Sequence, residues 1–171
     1  MNLKFISKKT KQLNQKEISQ ICKLKNQQWK FKYKNQIDWF SSNIKLEDIH
    51  NFILIKSNII GYTCLRKKKL LIHFKKKEKK IKYLHFDTLV VDRKHQKMDI
   101  GGNMMNFNNR IIKKNFKTSF LICEKKLIKF YEKFGWNLIS SKKLISNSNI
   151  KKKCMFFNKK FLFSKVEINI L

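Results

Sequence analysis

The sequence predicts a mixed α/β (α+β) fold, with one mostly antiparallel sheet flanked by about four helices in a single domain. The 171 residues suit one domain, and 42% hydrophobic residues, with fifteen Phe among them, are enough for a core. Apolar patterns follow the order helix, helix, three or four strands, helix, strand, helix and strands. Such an order is typical of a sheet that packs against helices.

Two amphipathic helices are predicted near the N-terminus. Residues 1–15 are polar and lysine-rich, and we expect a loose arm or a short strand there, ahead of a domain over residues 16–171. Over Glu17–Trp29 the apolar residues recur at helical spacing, which predicts an amphipathic helix. A second, shorter helix is predicted over Ile37–Ile44.

The apolar period then changes from helical to alternating, which predicts a run of strands. A turn at Lys56–Asn58 and a hairpin connection at Lys75–Lys80 separate them. The predicted strands are Asn51–Ile55, Ile59–Arg66, Leu70–Phe74 and Ile81–Val91.

The second half of the chain begins with a polar loop, Asp92–Gly102, that ends in the only Gly-Gly pair of the sequence. A helix is predicted next, and a later helix is expected to end at Gly135, because glycine adopts the left-handed C′ conformation at little cost. The predicted elements are helices Asn103–Lys114 and Lys126–Phe134 and strands Ser119–Cys123, Trp136–Ile139 and Cys154–Phe163.

The net charge of +30 suggests nucleic-acid binding, but composition offers another explanation. Only three of the 41 basic residues are arginine, whereas Lys, Asn, Ile and Phe are abundant, as an AT-rich genome would produce. The lysines are also spread along the whole chain. We therefore favour solvated basic faces over a dedicated nucleic-acid site, and expect only non-specific binding at low salt.

Metal and membrane sites are not expected. The four cysteines form no close pair of the kind that zinc sites use, and they are expected to be buried, reduced thiols. The apolar runs are far shorter than the ~20 residues of a membrane helix, and the N-terminus lacks a secretory apolar segment. These observations predict a cytoplasmic protein, a monomer or a homodimer.

The segment after Val91 has the features of an anion site. A helix N-terminus presents unpaired N–H groups and the positive end of its dipole, and Gly101-Gly102 would let the backbone approach a pyrophosphate. A plain turn before a helix would give the same pattern.

Two segments together resemble the GNAT superfamily, the Gcn5-related N-acetyltransferases. Leu89-Val90-Val91 leads through a loop to Gln96-Lys97-Met98-Asp99-Ile100-Gly101-Gly102, similar to the family's L-x-V strand and R/Q-x-x-G-x-G/A loop. Phe130-Tyr131-Glu132-Lys133-Phe134-Gly135-Trp136 is similar to the helix that ends in Y-x-x-x-G-F/W. With Ile60-Gly61-Tyr62 as the second-strand opening, the resemblance covers roughly residues 45–163.

The resemblance implies an acetyl-CoA co-substrate and direct attack of an amine on the thioester while both substrates are bound. It implies that the Val91 backbone pairs with the pantetheine and that Tyr131 protonates the departing thiolate, although Tyr131 also suits a packed helix position. The implied cofactor-binding residues are Leu89, Val90, Val91, Gln96, Lys97, Met98, Asp99, Ile100, Gly101 and Gly102.

Two residues depart from the family pattern. Asp99 stands where the first loop glycine falls, so that its carboxylate either repels the pyrophosphate or caps the helix, and we expect weakened but retained acetyl-CoA binding. Glu124 replaces an Asn that bonds the cofactor in many members, which removes one expected contact.

The acceptor side is less clearly marked. His85 and Asp87 lie two apart on the predicted strand and are candidates for the base or for amine binding, or a polar pair without a role. Trp29, Trp39 and Phe40 are candidate walls of the acceptor site.

The predicted function is transfer of acetyl to a primary amine, on an amino sugar or aminoglycoside, a polyamine or a protein. The alternative is a degenerate GNAT fold that acts as a non-catalytic binding module for nucleic acid or an acidic partner. Acyl groups longer than acetyl are a further possibility.

Overall fold

The computed structural model describes residues 2–74, 77–115, 117–145, 153–158 and 165–167. These residues form four α-helices and nine strands, in the mixed, mostly antiparallel arrangement that the sequence predicts. The helices are α1 (Gln15–Gln28), α2 (Tyr33–Asn43), α3 (Ile100–Lys114) and α4 (Ile128–Glu132). The strands are β1 (Leu3–Lys9), β2 (Ile49–Ile55), β3 (Asn58–Phe74), β4 (Lys77–Val91), β5 (Ser119–Cys123), β6 (Asn137–Leu138), β7 (Leu144–Ile145), β8 (Lys153–Phe157) and β9 (Lys165–Glu167).

The chain forms two compact units. The first contains residues 1–66 and 87–111, and the second contains residues 67–86 and 112–171. β3 and β4 each contribute residues to both units.

In the first unit, β1 pairs antiparallel with β2, and β2 pairs antiparallel with β3. β1 aligns Leu3 with Ile55, so the N-terminal segment, for which an arm and a strand were both considered, contains a full edge strand. The β2–β3 register shifts between Ile53 and Leu54.

Helices pack on both faces of β2. Successive side chains of a strand point to opposite faces, and the adjacent residues Phe52 and Ile53, both fully buried, belong to different apolar clusters. Phe52 packs with residues of α1 and α2, and Ile53 packs with Ile100 and Met104 of α3. The first unit therefore holds α3 against one face of β2 and the N-terminal helices against the other.

The second unit is built on the other halves of β3 and β4. β5 runs parallel to β4, with Ser119 opposite Leu84, and β8 pairs antiparallel with both β5 and β6. β9 pairs with β3 and with β7. Its core contains Leu70, Ile72, Tyr83, Phe120, Ile139 and Cys154.

Local signals fix two of the helix ends. The Asn14 side chain accepts from the Glu17 amide, and Glu17 bonds back to the Asn14 amide, which closes a capping box at the start of α1. Gly135 has a φ of +77°, which confirms the left-handed glycine that was predicted to end the later helix. The helix itself is shorter than the predicted Lys126–Phe134, because its first turn, Lys125–Leu127, is a 3₁₀ turn.

The largest differences from the predicted strands concern β3 and β4. Ile59–Arg66 and Leu70–Phe74 belong to one strand, β3, because exposed side chains such as those of Lys67 and Lys69 stay in solvent without ending the ladder. Lys77–Lys80, predicted as part of a hairpin connection, belongs to β4. Residues 75, 76 and 159–163 of these predictions lie outside the described residues.

Candidate active site

The segment between β4 and α3 differs from the prediction in where the helix begins. α3 starts at Ile100, so Gly101 and Gly102 lie in its first turn and not in the loop. The sharp turn falls earlier, at Lys97 and Asp99, whose φ angles are +68° and +52°. The Gly pair is therefore not the source of the left-handed backbone in this loop.

Asp99 occupies the glycine-like position of the loop in a left-handed conformation. Non-glycine residues are uncommon there, and Asp is among the types that adopt it most readily. Short runs that mix left-handed and right-handed residues turn backbone N–H groups toward one side and form anion-binding concavities. The loop thus reaches the helix N-terminus in a conformation suited to an anion, without a glycine at the turn.

The Asp99 side chain lies over the first turn of α3. A Cβ atom added at Gly102 would overlap the Asp99 carboxylate. The absence of a side chain at Gly102 therefore makes room for that carboxylate, whose negative charge is favourable at a helix N-terminus. An anionic group of the chain itself already lies where an anionic ligand is expected.

Gly61 allows α3 to lie close to β3. An added Cβ at Gly61 would come within 3.0 Å of Cγ2 of Ile100 and Cγ of Met104. The Asp92 amide, directly after β4, also donates to the Ile60 carbonyl at 2.8 Å. Both contacts fix the loop and the start of the helix relative to the second-strand opening that the sequence analysis singled out.

The start of the loop is tied to the end of α1. Gln27 donates from Nε2 to Asp92 Oδ2 at 2.9 Å, and its Oε1 accepts from the Arg93 amide at 3.1 Å. Asp92 Oδ1 also accepts from the Lys94 amide and lies 2.9 Å from His95 Nδ1. Burial alone would raise the pKa of Asp92, but these hydrogen bonds outweigh it and lower that pKa.

Arg66 is the centre of a charged cluster elsewhere in the first unit. Its Nε lies 4.0 Å from Asp48 Oδ2, and its Nη1 lies 3.6 Å from Oδ2 of Asp87, one of the predicted site residues. Nη2 donates to the Asn43 carbonyl at 2.7 Å. The guanidinium therefore connects the end of α2, the residue directly before β2, and β4.

Two cations share the ring of Trp39, a predicted acceptor-wall residue. Lys25 Nζ lies 3.8 Å from the ring centroid, and Arg66 Cζ lies 5.5 Å from it. Lys25 is only 7% exposed, and burial lowers the pKa of its ammonium although the Asp87 charge opposes this. The sequence analysis did not identify Lys25 or Arg66 because lysine is abundant and neither residue lies in a motif.

The other two predicted wall residues lie deeper. Trp29 is half-buried at the end of α1 and packs on the cluster around Phe52. Phe40 is 4% exposed, and its ring lies 5.5 Å from that of His50, so it belongs to the core and has little surface for a ligand.

A buried polar chain lies beneath this region. His50, fully buried, has Nε2 2.8 Å from Thr10 Oγ1 and Nδ1 2.8 Å from the Tyr62 hydroxyl. Burial, and next the charge of Lys25, lower the pKa of His50 to about 4, so the imidazole is neutral at pH 7. No sequence signal marked this histidine, because its partners come from distant parts of the chain.

The remaining predicted residues lie in the second unit. Tyr131 is 7% exposed, and its ring packs edge-on against Phe86 at 6.1 Å. Burial raises the pKa of this phenol above its ordinary value. His85 is half-buried, with its ring 6.3 Å from that of Tyr83. Glu124 pairs with Lys126 at 2.8 Å.

Neither a metal centre nor a membrane helix is evident in the described part of the chain. No group of three or more His, Cys, Asp or Glu among these residues lies together as a metal site would require. The four cysteines are free and buried. No helix in the described ranges is long and apolar enough to cross a bilayer.

No family model and no curated protein matches the sequence. Solved structures do match. An acyl-CoA N-acyltransferase from Pseudomonas aeruginosa has a TM-score of 0.67 at 12% identity, with 91% of this chain and 99% of that chain covered. The aminoglycoside 6'-N-acetyltransferase from Enterococcus faecium has a TM-score of 0.64 at 14% identity, covering 89% of this chain and 96% of that one.

A third similar structure was solved with the cofactor. The PaiA N-acetyltransferase from Thermoplasma acidophilum, in complex with coenzyme A, has a TM-score of 0.57 at 14% identity over 91% of this chain and 98% of that chain. At such identities the likeness concerns the fold. The element order, the β4–loop–α3 geometry and these neighbours lead to one conclusion: the chain has the fold of the GNAT superfamily.

Proposed function

We propose that this protein is an acetyl-CoA-dependent N-acetyltransferase that acts on a primary amine. The observation that carries the proposal is the segment from β4 to α3, where left-handed Lys97 and Asp99 lead into a helix N-terminus held close to the sheet at Gly61. This conformation suits a pyrophosphate. The likeness to N-acetyltransferase structures, one of them bound to coenzyme A, supports the same assignment.

The residues of the loop and of the start of α3 fit acetyl-CoA, except that one carboxylate, that of Asp99, has the same sign of charge as the phosphates. The amides from Lys97 to Gly102 would hold the pyrophosphate, and the backbone of Val91 would pair with the pantetheine. When bound, acetyl-CoA supplies an activated acetyl thioester. The Asp99 carboxylate over the first turn of α3 opposes the phosphates, so we expect reduced affinity.

The acid and base roles fall to three side chains. An amine of pKa ~10.4 is only about one part in a thousand neutral at pH 7, so a base aids the reaction. Asp87 is our choice for binding or deprotonating the amine, with His85 as the other candidate. Tyr131 would protonate the leaving thiolate.

The first experiment is a calorimetric titration with acetyl-CoA at ~0.3 M salt, which suppresses non-specific attraction to the lysines. We expect saturable one-to-one binding that Gly101→Glu abolishes. Asn106→Glu adds the same charge at an exposed position of α3 and should leave binding intact. A folded protein that binds no acetyl-CoA but binds nucleic acid or an acidic protein at this salt would favour the binding-module alternative.

Tyr131→Phe tests the acid role separately from binding. General acid catalysis contributes roughly 10²–10⁴ in rate, so we expect kcat to fall by about that factor. The dissociation constant of acetyl-CoA should not change. An unchanged kcat would assign Tyr131 to packing alone.

A further inference from the structure

Three polar side chains are buried where α3 packs on the strands of the first unit. Asn51 of β2, Thr63 of β3 and Asn108 of α3 are all fully buried. Oδ1 of Asn108 accepts from Nδ2 of Asn51 at 2.9 Å and from Oγ1 of Thr63 at 3.1 Å. We call these three residues the amide cluster. Burying polar groups is costly, so a cluster of them in a core calls for a reason.

The two members of the amide cluster on the strands lie on the face that carries α3. Asn51 lies opposite Thr63 in the β2–β3 ladder, and Ile53 lies opposite Gly61 two residues along. Side chains two residues apart on a strand share a face, and Ile53 and Gly61 both meet α3. This face therefore presents an apolar pair to the helix, followed by a polar pair.

The helix α3 carries the same order on the face that meets these strands. Met104 packs with Ile53, and Asn108, four residues later, bonds to the polar pair. Four helix residues rise about 6 Å and two strand residues about 6.7 Å, so each turn of α3 meets the next pair. A shift of α3 by one turn, about 5.4 Å, would place Asn108 among apolar groups and leave the Asn51 and Thr63 donors without their acceptor. The cost of unpaired buried groups opposes that shift.

The amide cluster does not make every hydrogen bond that its atoms allow. Oδ1 of Asn51 and Nδ2 of Asn108 have no hydrogen-bond partner in the part of the chain that the structure describes. Replacing all members of a buried polar group by apolar side chains of similar shape is often neutral or stabilising. The single arrangement that the cluster permits therefore explains its presence better than a contribution to stability does.

We propose that Asn51, Thr63 and Asn108 are positioning residues that fix the register of α3 along the strands, and with it the place of the helix N-terminus that receives the cofactor. The inference rests on the proposed function. Asn108 lies eight residues after Ile100, or about 12 Å along the helix, so the cluster acts through α3 and not by contact with acetyl-CoA.

The test separates stability from cofactor affinity. The triple variant Asn51→Leu/Thr63→Val/Asn108→Leu makes the cluster apolar, and we expect its thermal midpoint to stay within about 2 °C of wild type or to rise. If only about a fifth of the molecules then hold α3 in the binding register, the dissociation constant of acetyl-CoA rises about fivefold in calorimetry at ~0.3 M salt. Asn51→Val in place of Asn51→Leu gives a smaller triple variant, should the first be overpacked.

Two single variants provide the controls. Asn106→Leu makes the same change at an exposed position of α3 and should alter neither the midpoint nor the affinity. Asn108→Leu leaves two buried donors without their acceptor, and we expect its midpoint to fall by about 4 °C or more. If the cluster served packing alone, the triple variant would regain the affinity together with the midpoint.

NMR relaxation dispersion tests the register without a ligand. Helix register shifts occur on the μs–ms timescale, so the α3 amides of the triple variant should show exchange that wild type and Asn106→Leu lack. The absence of such exchange would overturn the inference. So would an acetyl-CoA affinity within about twofold of wild type in a folded triple variant.

Two further results have a defined meaning. If both triple variants melt as early as Asn108→Leu, the cluster serves stability and the inference is wrong. If wild-type protein does not bind acetyl-CoA, the proposed function is wrong, and the relaxation measurement alone decides whether the cluster fixes the register of α3.

Discussion

Two regions of the first unit are organised in different ways. The loop before α3 is organised by its backbone: left-handed Lys97 and Asp99 and a helix N-terminus lie within a dozen consecutive residues. The cluster around Arg66 is organised by side chains from α1, α2, β3, β4 and the residue before β2. The loop can therefore be recognised in the sequence as a motif. The Arg66 cluster cannot, because its residues come together only when the chain folds.

Arg66 shows why the second region still depends on residue type. Only three of the 41 basic residues are arginine, and this one makes contacts in three directions. A lysine has a single nitrogen and cannot make them together. In a lysine-rich chain, the arginine therefore marks a place where the planar guanidinium is required.

Substitution of Arg66 is expected to cause the largest loss of stability among these variants, because it disrupts the cluster around Arg66. Arg66→Met removes the guanidinium that lies beside the carboxylate of Asp48, only 1% exposed, and we expect a loss of about 3–5 kcal/mol in the free energy of unfolding. Urea denaturation measures this loss. Arg110→Met, at an exposed position of α3, should cost less than about 1 kcal/mol.

A double variant tests whether the stability loss in Arg66→Met comes from the uncompensated charge of Asp48. Adding Asp48→Asn to Arg66→Met removes the stranded charge and should recover part of the lost stability. No recovery would mean that the lost stability comes from the other contacts of the guanidinium, which are with Asp87, the Asn43 carbonyl and the Trp39 ring.

His50 offers a pH test of the side-chain region. Its pKa is about 4 in the folded protein against about 6.5 ordinarily, so below pH 6.5 the unfolded chain takes up a proton that the native state excludes. Stability should therefore decline as the pH falls from about 6.5 to about 4, by up to roughly 3 kcal/mol. His50→Gln should flatten this decline in urea titrations at several pH values; equal slopes would contradict the assignment.

Gly61→Ala tests the backbone region. The new Cβ would lie 3.0 Å from atoms of Ile100 and Met104, so α3 must shift, at a cost of about 1–3 kcal/mol. Because the start of α3 moves, we expect both the acetyl-CoA affinity and the stability of the protein to fall. Asn58→Ala, exposed at the start of the same strand, should change neither quantity in thermal melts and calorimetry.

Asp99→Gly, in the loop before α3, is expected to have the smallest effect of these substitutions. Loss of the carboxylate removes repulsion and left-handed strain, and we expect acetyl-CoA to bind a few-fold more tightly. The unfolding free energy should change by less than about 1 kcal/mol, because the favourable helix-dipole contact is lost as well. Asp99→Asn keeps the tolerance of left-handed angles without the charge. A dissociation constant unchanged within about twofold in both variants would disprove the repulsion.

Periodicity predicted most elements, and its failures have physical reasons. The interruption at Lys67–Lys69 looked like a break because three lysines in a row hide the alternation of the strand. The Gly pair looked like the turn, but Asp99 supplies the left-handed backbone and α3 begins one residue later. Sequence patterns report burial and flexibility more directly than they report where a helix starts.

Within the candidate site, the loop residues and Tyr131 were identified from short contiguous motifs, and they remain predictions as binding and catalytic groups. Asp87 was identified from its place two residues after His85, but its partner Arg66 was not. Phe40 was predicted to line the acceptor site but lies in the core. An aromatic residue on an amphipathic helix is compatible with either position, so the sequence could not distinguish them.

Local patterns in the sequence are enough to predict the order of most helices and strands, the polar loop after β4 and the left-handed glycine after the later helix. These follow from interactions between near neighbours in the chain, which leave periodic or contiguous patterns. Only the tertiary structure decided that Lys25 and Arg66 share the Trp39 ring, that His50 is neutral between Thr10 and Tyr62, and that Asp99 lies over Gly102. Most of these contacts join distant segments, and burial sets their charges, so they arise with the fold.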